Sequence, residues 1–485
     1  MPDSSAMATG PTDNIAAIIL AAGKSTRMKS KLPKPLHPIC GIPLTGHVIR
    51  ACRAAGVQRI VIIVGHEAEA VRSGLESDVE FATQSSQLGT GDAVGAARAL
   101  FENWTGTILV LAGDVPLLPS SSIRRLIDLH RETKASATML TAFLNDPTGY
   151  GRVVRDQHGK VSGIVEHKDA TADQRLIREW NPSIYAFQSD ALWSSLSLVR
   201  PVNAQGEYYL TDTIGILSGQ GQLIEAIAAD NSEDVLGVNN RVELSAAGTI
   251  LRRRILEEHM LAGVSITDPE NTYIDVDVTI GQDTTIEPGT FVYSGTTIGE
   301  DCVIGPMARI TRSTIGNRCK IWASQLVEAA IESDVSVGPF SNLRPGTKLA
   351  SKVKIGDFVE TKNAEFGQGA QASHLSYIGD AQVGAGTNIG AGTITCNYDG
   401  YRKHRTVIGR NAFIGSDSTL IAPITIGDGA FIAAGSSVTA NVPADAMAIA
   451  RSRTTLKEGW AAAYRAEKAA SGAGAARSED AASRK

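Results

Sequence analysis

The sequence has few aromatic residues, no long apolar run and no excess of basic charge. Aromatic residues make up 5% of the 485 positions, whereas glycine occurs 48 times. This composition favours a chain with many tight turns over a helical bundle. The formal net charge of −5 gives no basic footprint for nucleic acid. We therefore expect no nucleic-acid partner and look for function in local sites.

Membrane and secretion signals are also absent from the sequence. No apolar run approaches the ~20 residues of a membrane helix, and the opening residues MPDSSAMATGPTDN lack the features of a secretory signal. The cysteines are odd in number and have no CxxC spacing, which indicates free thiols in a reducing compartment. We predict a cytoplasmic protein with no membrane partner. The cysteines are Cys40, Cys52, Cys302, Cys319 and Cys396.

Residues 14–240 have the pattern of an α/β domain, after a polar tail over 1–13 that we expect to be disordered. Apolar runs at 15–21, 59–64 and 108–112 alternate with helical segments, such as the one around 47–55. This alternation predicts a parallel sheet covered on both faces, with ligands at the carboxyl ends of its strands. Residues 241–263 follow as one predicted linker helix, in which Leu244, Ala247, Leu251 and Ile255 share a face.

Within residues 264–455, aliphatic residues recur at every sixth position in three runs. A period of six fits neither an α-helix nor a flat strand, and it predicts a parallel β-helix with aliphatic side chains stacked inside. The tail over 456–485 is predicted to be disordered, with room for a helix near 457–468. The repeated positions are Ile274, Ile280, Ile286, Val292, Ile298, Ile304 and Ile310; Ile331, Val337, Leu343, Leu349 and Ile355; and Ile408, Ile414, Leu420, Ile426, Ile432 and Val438.

A glycine-containing basic loop, LAAGKSTRMKSKLPKPL, follows the first predicted strand at positions 20–36. Backbone N–H groups in such a turn approach phosphate oxygens, and Lys24, Arg27, Lys31 and Lys34 offset their charge. The string is not a Walker motif, because GxxxxGK[ST] is missing. On these residues alone a solvated basic loop stays an alternative to a phosphate site.

The six-residue repeat is disturbed between Asp357 and Arg405, where polar residues gather. Interrupted repeats are where solenoids carry binding loops. Acyl transfer to an amine needs a base, and His374 is a suitable residue type. A solenoid that is only a scaffold stays the alternative. The gathered residues are Glu360, Lys362, His374, Tyr377, Asn388, Asn397, Tyr398 and Lys403.

Several strings together resemble one enzyme family over residues 14–455. They are the basic loop, QLGTGDA, AGDVPLL, DPTGYGR, IVEHKDA, QGEYYLTD, GVNNR, the ASHLSY segment around His374 and NIGAGTITCNYDG. The chain is similar to the bifunctional N-acetylglucosamine-1-phosphate uridylyltransferases/glucosamine-1-phosphate acetyltransferases. This resemblance implies a Rossmann-like nucleotidyltransferase domain and a left-handed parallel β-helix domain of hexapeptide repeats.

The resemblance also implies a reaction sequence and its co-substrates. The C-terminal half would acetylate glucosamine-1-phosphate with acetyl-CoA. The N-terminal half would then transfer uridylyl from UTP, with Mg²⁺, and make UDP-N-acetylglucosamine for peptidoglycan and lipopolysaccharide precursors. The resemblance also implies a homotrimer in which each acetyltransfer site is built between neighbouring subunits.

In the N-terminal half the resemblance implies roles for matched residues. Arg27 and Lys34 would be catalytic, and Asp114 and Asn239 would hold Mg²⁺. Gly151, Glu166 and Asn181 would bind the N-acetylglucosamine group. The residues that would bind UTP or UDP-N-acetylglucosamine are Leu20, Ala21, Ala22, Gly23, Lys34, Gln84, Gly89, Thr90, Ala112, Gly113, Asp114, Gly151, Glu166, Asn181 and Asn239.

In the C-terminal half the resemblance implies that His374 is the general base. Asn397 would orient the sugar and also contact acetyl-CoA, with Glu360 in support, and we interpret Cys396 as a packing residue. The residues for glucosamine-1-phosphate are Arg344, Lys362, Tyr377, Asn388 and Lys403. The residues for acetyl-CoA are Ala391, Asn397, Tyr398, Ser416, Ala434 and Arg451.

Two departures from the family pattern concern the sugar-nucleotide site. Ala112 stands where the family often has an aromatic residue, and Asn181-Pro182-Ser183 replaces Asn-Thr-Gly. Proline removes one backbone donor there. Two other functions remain open: a nucleotidyltransferase with a scaffold solenoid, and a non-enzymatic nucleotide-sugar sensor. The His374 segment counts against the first, and the set of Lys34, Asp114 and Asn239 counts against the second.

Overall fold

A computed structural model describes residues 14–75 and 78–471. The tail over 1–13 and the end of the C-terminal tail, 472–485, both predicted to be disordered, lie outside the described residues. The chain divides into two compact units, of which the first ends at Arg312 and the second begins at Ser313. The predicted domain boundaries at 240 and 263 stay a prediction.

The N-terminal part of the first unit is a ten-stranded sheet with helices packed against it. Nine of its strands run in the order β5-β4-β1-β6-β11-β7-β10-β8-β9, and β12 pairs with β7. The strands here, with the separate hairpin β2–β3, are β1 Ile15–Leu20, β2 Pro38–Ile39, β3 Ile42–Pro43, β4 Arg59–Val64, β5 Glu80–Thr83, β6 Thr107–Ala112, β7 Ala137–Phe143, β8 Gly151–Arg155, β9 Val161–Val165, β10 Glu179–Asn181, β11 Ile184–Gln188 and β12 Ile224–Ala228.

The helices of this part follow the strands as the apolar pattern predicts. The predicted runs at 15–21, 59–64 and 108–112 are β1, β4 and β6, and buried side chains on their two faces form two separate cores. The α-helices are α1 Leu44–Ala54, α2 Ala68–Gly74, α3 Thr90–Gly95, α4 Ser120–Thr133, α5 Ala172–Arg175, α6 Ser189–Leu198, α7 Asp212–Gly219 and α8 Arg241–Leu261. The 3₁₀ turns are Thr26–Met28, Lys34–Leu36, Arg98–Phe101 and Ser232–Val235.

The expectation of a parallel sheet is correct for only part of it. Strands β5, β4, β1 and β6 are parallel, but β11 runs antiparallel to β6 and β7, and β10 antiparallel to β7 and β8. Strands β10 and β11 are separated only by Pro182–Ser183 and both run antiparallel to β7, so the chain passes from β10 to β11 without changing direction. No crossover helix of the kind that joins parallel neighbours lies between them. An apolar run does not show its direction.

Helix α8 spans Arg241–Leu261 and begins at the side chain of Asn240, which accepts hydrogen bonds from the N–H groups of Val242 and Glu243. Ala247 is buried in a small core, against which Leu244 and Leu251 pack. The predicted helical face is therefore the packed one. Among the described residues no helix, α8 included, has the length and hydropathy of a membrane span.

The last part of the first unit consists of short parallel strands at intervals of about six residues. They begin the predicted solenoid, and Ile274, Ile286, Ile298 and Ile310 are buried inside it. Ile280 is half-buried. The strands are β13 Ser265–Ile266, β14 Tyr273–Ile274, β15 Thr279–Ile280, β16 Thr285–Ile286, β17 Phe291–Val292, β18 Thr297–Ile298, β19 Val303–Ile304 and β20 Arg309–Thr311, with a 3₁₀ turn at Pro269–Asn271.

The second unit continues the same six-residue pattern, and its predicted inward residues, from Ile331 to Val438, are buried. None of the five cysteines, all of which lie among the described residues, takes part in a disulfide bond. The strands are β21 Thr314–Ile315, β22 Lys320–Ile321, β23 Gln325–Val327, β24 Ala330–Ile331, β25 Ser336–Val337, β26 Asn342–Leu343, β27 Lys348–Leu349, β28 Lys354–Asp357, β29 Glu360–Phe366, β30 Gln371–His374, β31 Tyr377–Val383, β32 Asn388–Ile389, β33 Ile394–Cys396, β34 Thr406–Ile408, β35 Phe413–Ile414, β36 Thr419–Ile421, β37 Ile424–Ile426, β38 Phe431–Ile432, β39 Ser437–Val438 and β40 Met447–Ala448.

One coil of the second unit is longer than the others. Asn388 pairs with Phe413, 25 positions later, whereas Phe413 pairs with Phe431, 18 positions later. The additional residues form an excursion that we call the 397–405 loop, and the strands on both sides of it keep their register. Helix α9, Trp460–Ala470, follows the last coil and matches the helix foreseen near 457–468.

Candidate active sites

The first unit contains a cavity of about 630 Å³ at the carboxyl ends of β1, β5 and β6. Parallel strands commonly present ligand-binding residues at this edge. Predicted residues from three separated segments meet there. Those in its lining are Leu20, Ala21, Ala22, Gly23, Arg27, Lys34, Gln84, Gly89, Thr90, Ala112, Gly113 and Asp114.

Lys34, which lines this cavity, joins two predicted metal ligands, of which Asp114 is in the lining and Asn239 is not. Its ammonium group donates to the Asp114 carboxylate and, at 3.0 Å, to Oδ1 of Asn239. Arg27 Nη2 donates to the same Asn239 oxygen at 3.0 Å. Asp114 stands two residues after the end of β6, and its carbonyl accepts from Val238 N–H at 2.9 Å, which holds the two ligand segments together. Two side-chain oxygens thus accept hydrogen bonds from one cation.

Two glycines allow the backbone to close tightly around the cavity. Gly113 N–H donates to the Leu20 carbonyl at 2.9 Å, and a Cβ at Gly113 would lie 2.7 Å from that oxygen. Gly89 has φ +116°, and a Cβ there would lie 2.9 Å from the Tyr208 nitrogen. Gln84, after β5, donates to the Gly89 carbonyl at 3.1 Å and fixes the same turn. The sequence QLGTGDA therefore forms one wall by close backbone approach.

The three predicted sugar-binding residues come together beside the antiparallel strands. Gly151 and Asn181 are paired across β8 and β10, and a Cβ at Gly151 would lie 3.4 Å from Oε1 of Glu166. Burial raises the pKa of the Glu166 carboxyl, although the Thr211 hydroxyl donates to it at 3.2 Å. This group supplies an amide, a buried carboxyl and backbone atoms, all of which suit recognition of hydroxyl and amide groups.

In the second unit three predicted phosphate-binding cations lie close together. Contact with the Lys403 amino group, together with the charge of Arg344, lowers the pKa of Lys362. Arg344 Nη1 donates to Oε1 of Glu360 at 2.8 Å, and this carboxylate raises the pKa of the guanidinium. Such a concentration of positive charge suits a phosphate group.

His374 lies at the end of β30, and Tyr377 lies at the start of β31, on the two sides of a corner at Leu375. Leu375 takes the left-handed conformation, with φ +46°. His374 is paired in register with Asp357, and its Nδ1 lies 3.8 Å from an Asp357 carboxylate oxygen. The imidazole is largely exposed, so a substrate amine has access to it.

The predicted acetyl-CoA residues form a column along one corner of successive coils. Asp417 N–H donates to the Ala391 carbonyl at 2.7 Å, and Gly435 N–H donates to the Ser416 carbonyl at 2.8 Å. Ala434, directly before Gly435, therefore lies in the coil after Ser416. Arg451 comes next, since its Cδ would lie 3.9 Å from a Cβ at Gly435. Asn397 and Tyr398 lie apart, in the 397–405 loop.

The structure adds residues that were given no role in the site from the sequence. Gln87, Ser183 and Glu207 line the first cavity, and Gln87 Nε2 donates to the Ala22 carbonyl at 3.0 Å. Gln87 and Glu207 stand in the strings QLGTGDA and QGEYYLTD, so their position in those strings was a usable signal. Ser183 was noted from the sequence only as the residue that stands in place of the family's glycine, and its left-handed φ of +61° is a conformation that glycine favours.

Comparison with known proteins supports both halves. Residues 17–177 match the MobA-like NTP transferase domain. Residues 277–312 match the bacterial transferase hexapeptide (six repeats), and residues 405–440 match the hexapeptide repeat of succinyl-transferase.

Curated relatives match over nearly the whole chain. The bifunctional protein GlmU of Brevibacillus brevis is 50% identical over 92% of this chain and 97% of its own. The protein of the same name from Clostridioides difficile is 48% identical over the same shares of both chains. The chain belongs to the GlmU family. A solved UDP-glucose pyrophosphorylase complexed with UDP-glucose matches at TM-score 0.40 and 15% identity over 50% of this chain, a likeness too weak to decide anything.

Membership of the GlmU family agrees with the two sites described above. The fold is a Rossmann-like nucleotidyltransferase domain joined to a left-handed parallel β-helix of hexapeptide repeats. The protein is a bifunctional transferase of UDP-N-acetylglucosamine synthesis, with a nucleotidyltransferase half and an acetyltransferase half. The cavity lies in the first half, and the cation cluster and His374 lie in the second.

Proposed function

We propose that the cavity of the first unit binds UTP and is the uridylyltransfer site. The observation that carries this assignment is the contact of Lys34, which lines the glycine-walled cavity, with both Asp114 and Asn239. A phosphate oxygen of N-acetylglucosamine-1-phosphate attacks the α-phosphorus of UTP, and the bond to the leaving pyrophosphate breaks. Lys34 and Arg27 stabilise the charge that is spread over the phosphate oxygens during this exchange.

We propose Mg²⁺ as the metal of this site, held by Asp114 and Asn239. A carboxylate and an amide oxygen are hard donors that suit Mg²⁺, and both already contact one cation, the Lys34 ammonium. The metal, when bound, would neutralise phosphate charge. Arg27 would keep the Asn239 side chain oriented through its own hydrogen bond.

The N-acetylglucosamine group is assigned to the pocket of Gly151, Glu166 and Asn181. The buried carboxyl of Glu166 and the Asn181 amide can exchange hydrogen bonds with sugar hydroxyl and acetamido groups. Ala112 leaves one wall without an aromatic side chain. The backbone carbonyl of Ser183 accepts from Ala112 N–H at 3.2 Å, so the replaced corner stays bonded to the end of β6.

The acetyl transfer is assigned to the corner that carries His374. The imidazole takes a proton from the amine of glucosamine-1-phosphate as the nitrogen bonds to the thioester carbonyl carbon. The C–S bond breaks, and the imidazolium returns this proton to the sulfur, so CoA leaves as the thiol. Asp357 favours the charged imidazolium that forms, because its carboxylate lies 3.8 Å from Nδ1. Tyr377 and Asn388 orient the sugar, and Asn397 orients its amine and also contacts acetyl-CoA.

Arg344, Lys362 and Lys403 bind the sugar phosphate, which also relieves their mutual repulsion. The column of Ala391, Ser416, Ala434 and Arg451 lines the acetyl-CoA site together with Tyr398. Small side chains along a solenoid corner leave room for an extended ligand, and Arg451 supplies a charge for its phosphates.

We propose a cytoplasmic homotrimer that supplies precursors of peptidoglycan and lipopolysaccharide. Free cysteines and the substrates UTP and acetyl-CoA support that location. The exposed stacked pair Phe340 and Phe358, with ring centroids 5.4 Å apart, supports self-association along the second unit.

A paired assay tests the assignments against a solenoid that is only a scaffold. It measures pyrophosphate release with UTP and N-acetylglucosamine-1-phosphate, and CoA thiol release with acetyl-CoA and glucosamine-1-phosphate. Asp114→Ala should abolish only the first activity, and His374→Ala only the second. A wild-type protein that releases no CoA thiol would leave the scaffold function in place.

A further inference from the structure

The 397–405 loop is folded back on itself by its own hydrogen bonds. His404 N–H donates to the Asn397 carbonyl at 2.8 Å, and Tyr398 and Lys403 form an antiparallel bridge. At the tip, Asp399 N–H donates to the Arg402 carbonyl at 3.2 Å. The loop is therefore a small hairpin outside the regular coils, and Lys403 lies near its base.

The Asp399 carboxylate is the centre of this hairpin. Its Oδ1 accepts the N–H groups of Tyr401 at 2.8 Å and Arg402 at 2.6 Å. Its other oxygen, Oδ2, accepts from Nε2 of His404 at 2.7 Å. The bond to the Arg402 N–H, the His404 imidazole and the Tyr401 N–H lower the pKa of Asp399 to about 2. A charged carboxylate thus ties the tip of the hairpin to the imidazole at its base.

Neighbouring positive charges repel the ammonium group of Lys403. Its amino group is in contact with that of Lys362, and the guanidinium of Arg344 adds a third positive charge. Without a bound anion these cations repel one another. The hairpin is joined to the coils at its two ends, through the side chains of Asn397 and Arg405. Between these ends its internal bonds hold Lys403 in this group.

We propose that His404 is a positioning residue for acetyl transfer, which holds Lys403 in the sugar-phosphate site through its bond to Asp399. His404 directly follows Lys403 in the chain, so the imidazole–carboxylate bond fixes the backbone on one side of the lysine. This inference rests on the proposed role of Lys403 in binding the phosphate of glucosamine-1-phosphate. Without the bond the ammonium moves away from Lys362, and the phosphate loses one of three cations.

Steady-state acetyl transfer by the full chain tests the proposal. His404→Ala should raise the KM for glucosamine-1-phosphate about ten-fold, the effect of losing one hydrogen bond to a charged group, with kcat changed by less than about two-fold. His404→Gln keeps an N–H donor for Asp399 and should restore most of the affinity. Tyr401→Ala is the matched control, since this side chain is 94% exposed in the same loop, and its KM should equal the wild-type value.

A double-mutant cycle separates action through Lys403 from a general effect on folding. In a Lys403→Ala background, removal of His404 should raise the KM no further, because the residue that it positions is already gone. A KM unchanged by His404→Ala, or additive effects of the two substitutions, would overturn the inference. A normal KM in Lys403→Ala itself would instead contradict the proposed phosphate site.

Discussion

The backbone N–H of Asn239 donates to the Glu243 carboxylate at 2.6 Å, across the first turn of α8. The other Glu243 oxygen accepts from Nδ2 of Asn240, also at 2.6 Å, and Asn240 in turn caps the helix. This exchange between a helix cap and a glutamate resembles a capping box. It fixes the segment whose Asn239 side chain contacts Lys34 and Arg27.

Glu243→Ala should therefore weaken uridylyl transfer through Asn239. We expect kcat/KM for UTP to fall about ten-fold, since a hydrogen bond to a charged group contributes about 1.5–3 kcal/mol. Acetyl transfer, measured on the same sample, should be unchanged. Glu243→Gln keeps one acceptor oxygen, so its kcat/KM for UTP should lie between the values of the wild type and of Glu243→Ala. Equal activity of the alanine variant and the wild type would show that the cap does not act on the site.

Gly41→Ala should destabilise the protein through a steric overlap as well as through backbone strain. Its φ is +92°, and a Cβ there would overlap the Ser294 hydroxyl and lie 2.7 Å from the Asp275 carboxyl carbon. Gly56 has a similar φ of +88° with open space around it. Gly56→Ala should cost roughly 1–2 kcal/mol of unfolding free energy from the conformation alone. Gly41→Ala should cost a further ~1–3 kcal/mol for the overlap, seen as a lower Tm. Equal Tm values for the two variants would contradict the contact of the β2–β3 hairpin with the first solenoid coils.

Two buried histidines should make the first unit less stable in mild acid. Burial lowers the pKa of His47 and of His130 from 6.5 to about 4. The unfolded chain then binds more protons than the folded one between these values, so the stability present above pH 6.5 is lost as the pH falls toward 4. Each contributes up to roughly 3 kcal/mol over this range. Melting temperatures between pH 7.5 and 4.5 should fall less steeply in His130→Gln than in the wild type. His158→Gln, at an exposed position, should keep the wild-type slope, and equal slopes in all three would refute the prediction.

Asp357→Asn should slow acetyl transfer without weakening substrate binding. The substitution removes the carboxylate 3.8 Å from His374 Nδ1 and with it the stabilisation of the imidazolium. We expect kcat to fall about ten-fold, a part of the ~10²–10⁴ that a general base contributes, with both KM values within about two-fold of wild type. Uridylyl transfer is the internal control. A changed KM with normal kcat would indicate a role in binding instead.

The six-residue repeat was sufficient to predict the solenoid, because each inward aliphatic side chain lies over an aliphatic side chain of the adjacent coil. Ile408, Ile414 and Ile426 are buried as the period requires. The direction of β11 was not predictable in this way, since the apolar residues of Ile184–Gln188 form the same pattern whether the strand runs parallel or antiparallel to its neighbours. The six-residue period thus indicates which residues are buried, whereas the direction of a strand depends on how the chain leads into it.

The candidate sites show a similar division. Glycine and lysine at 20–36 indicated a phosphate site, because those residue types carry the chemistry directly. The hydrogen bonds of Glu243 and of His404 were not foreseen. Each acts on a neighbouring functional residue through a contact that only the folded backbone brings about.

The long coil between Asn388 and Phe413 adds residues without disturbing the strands around it. In a solenoid the length of an excursion is thus independent of the spacing of the rungs, since each strand pairs only with its neighbours in adjacent coils. Loop length at this corner is therefore a free variable for natural variation or for engineering. A longer or shorter hairpin could present a different cation to the same sugar-phosphate site while the strands beneath it keep their pairing.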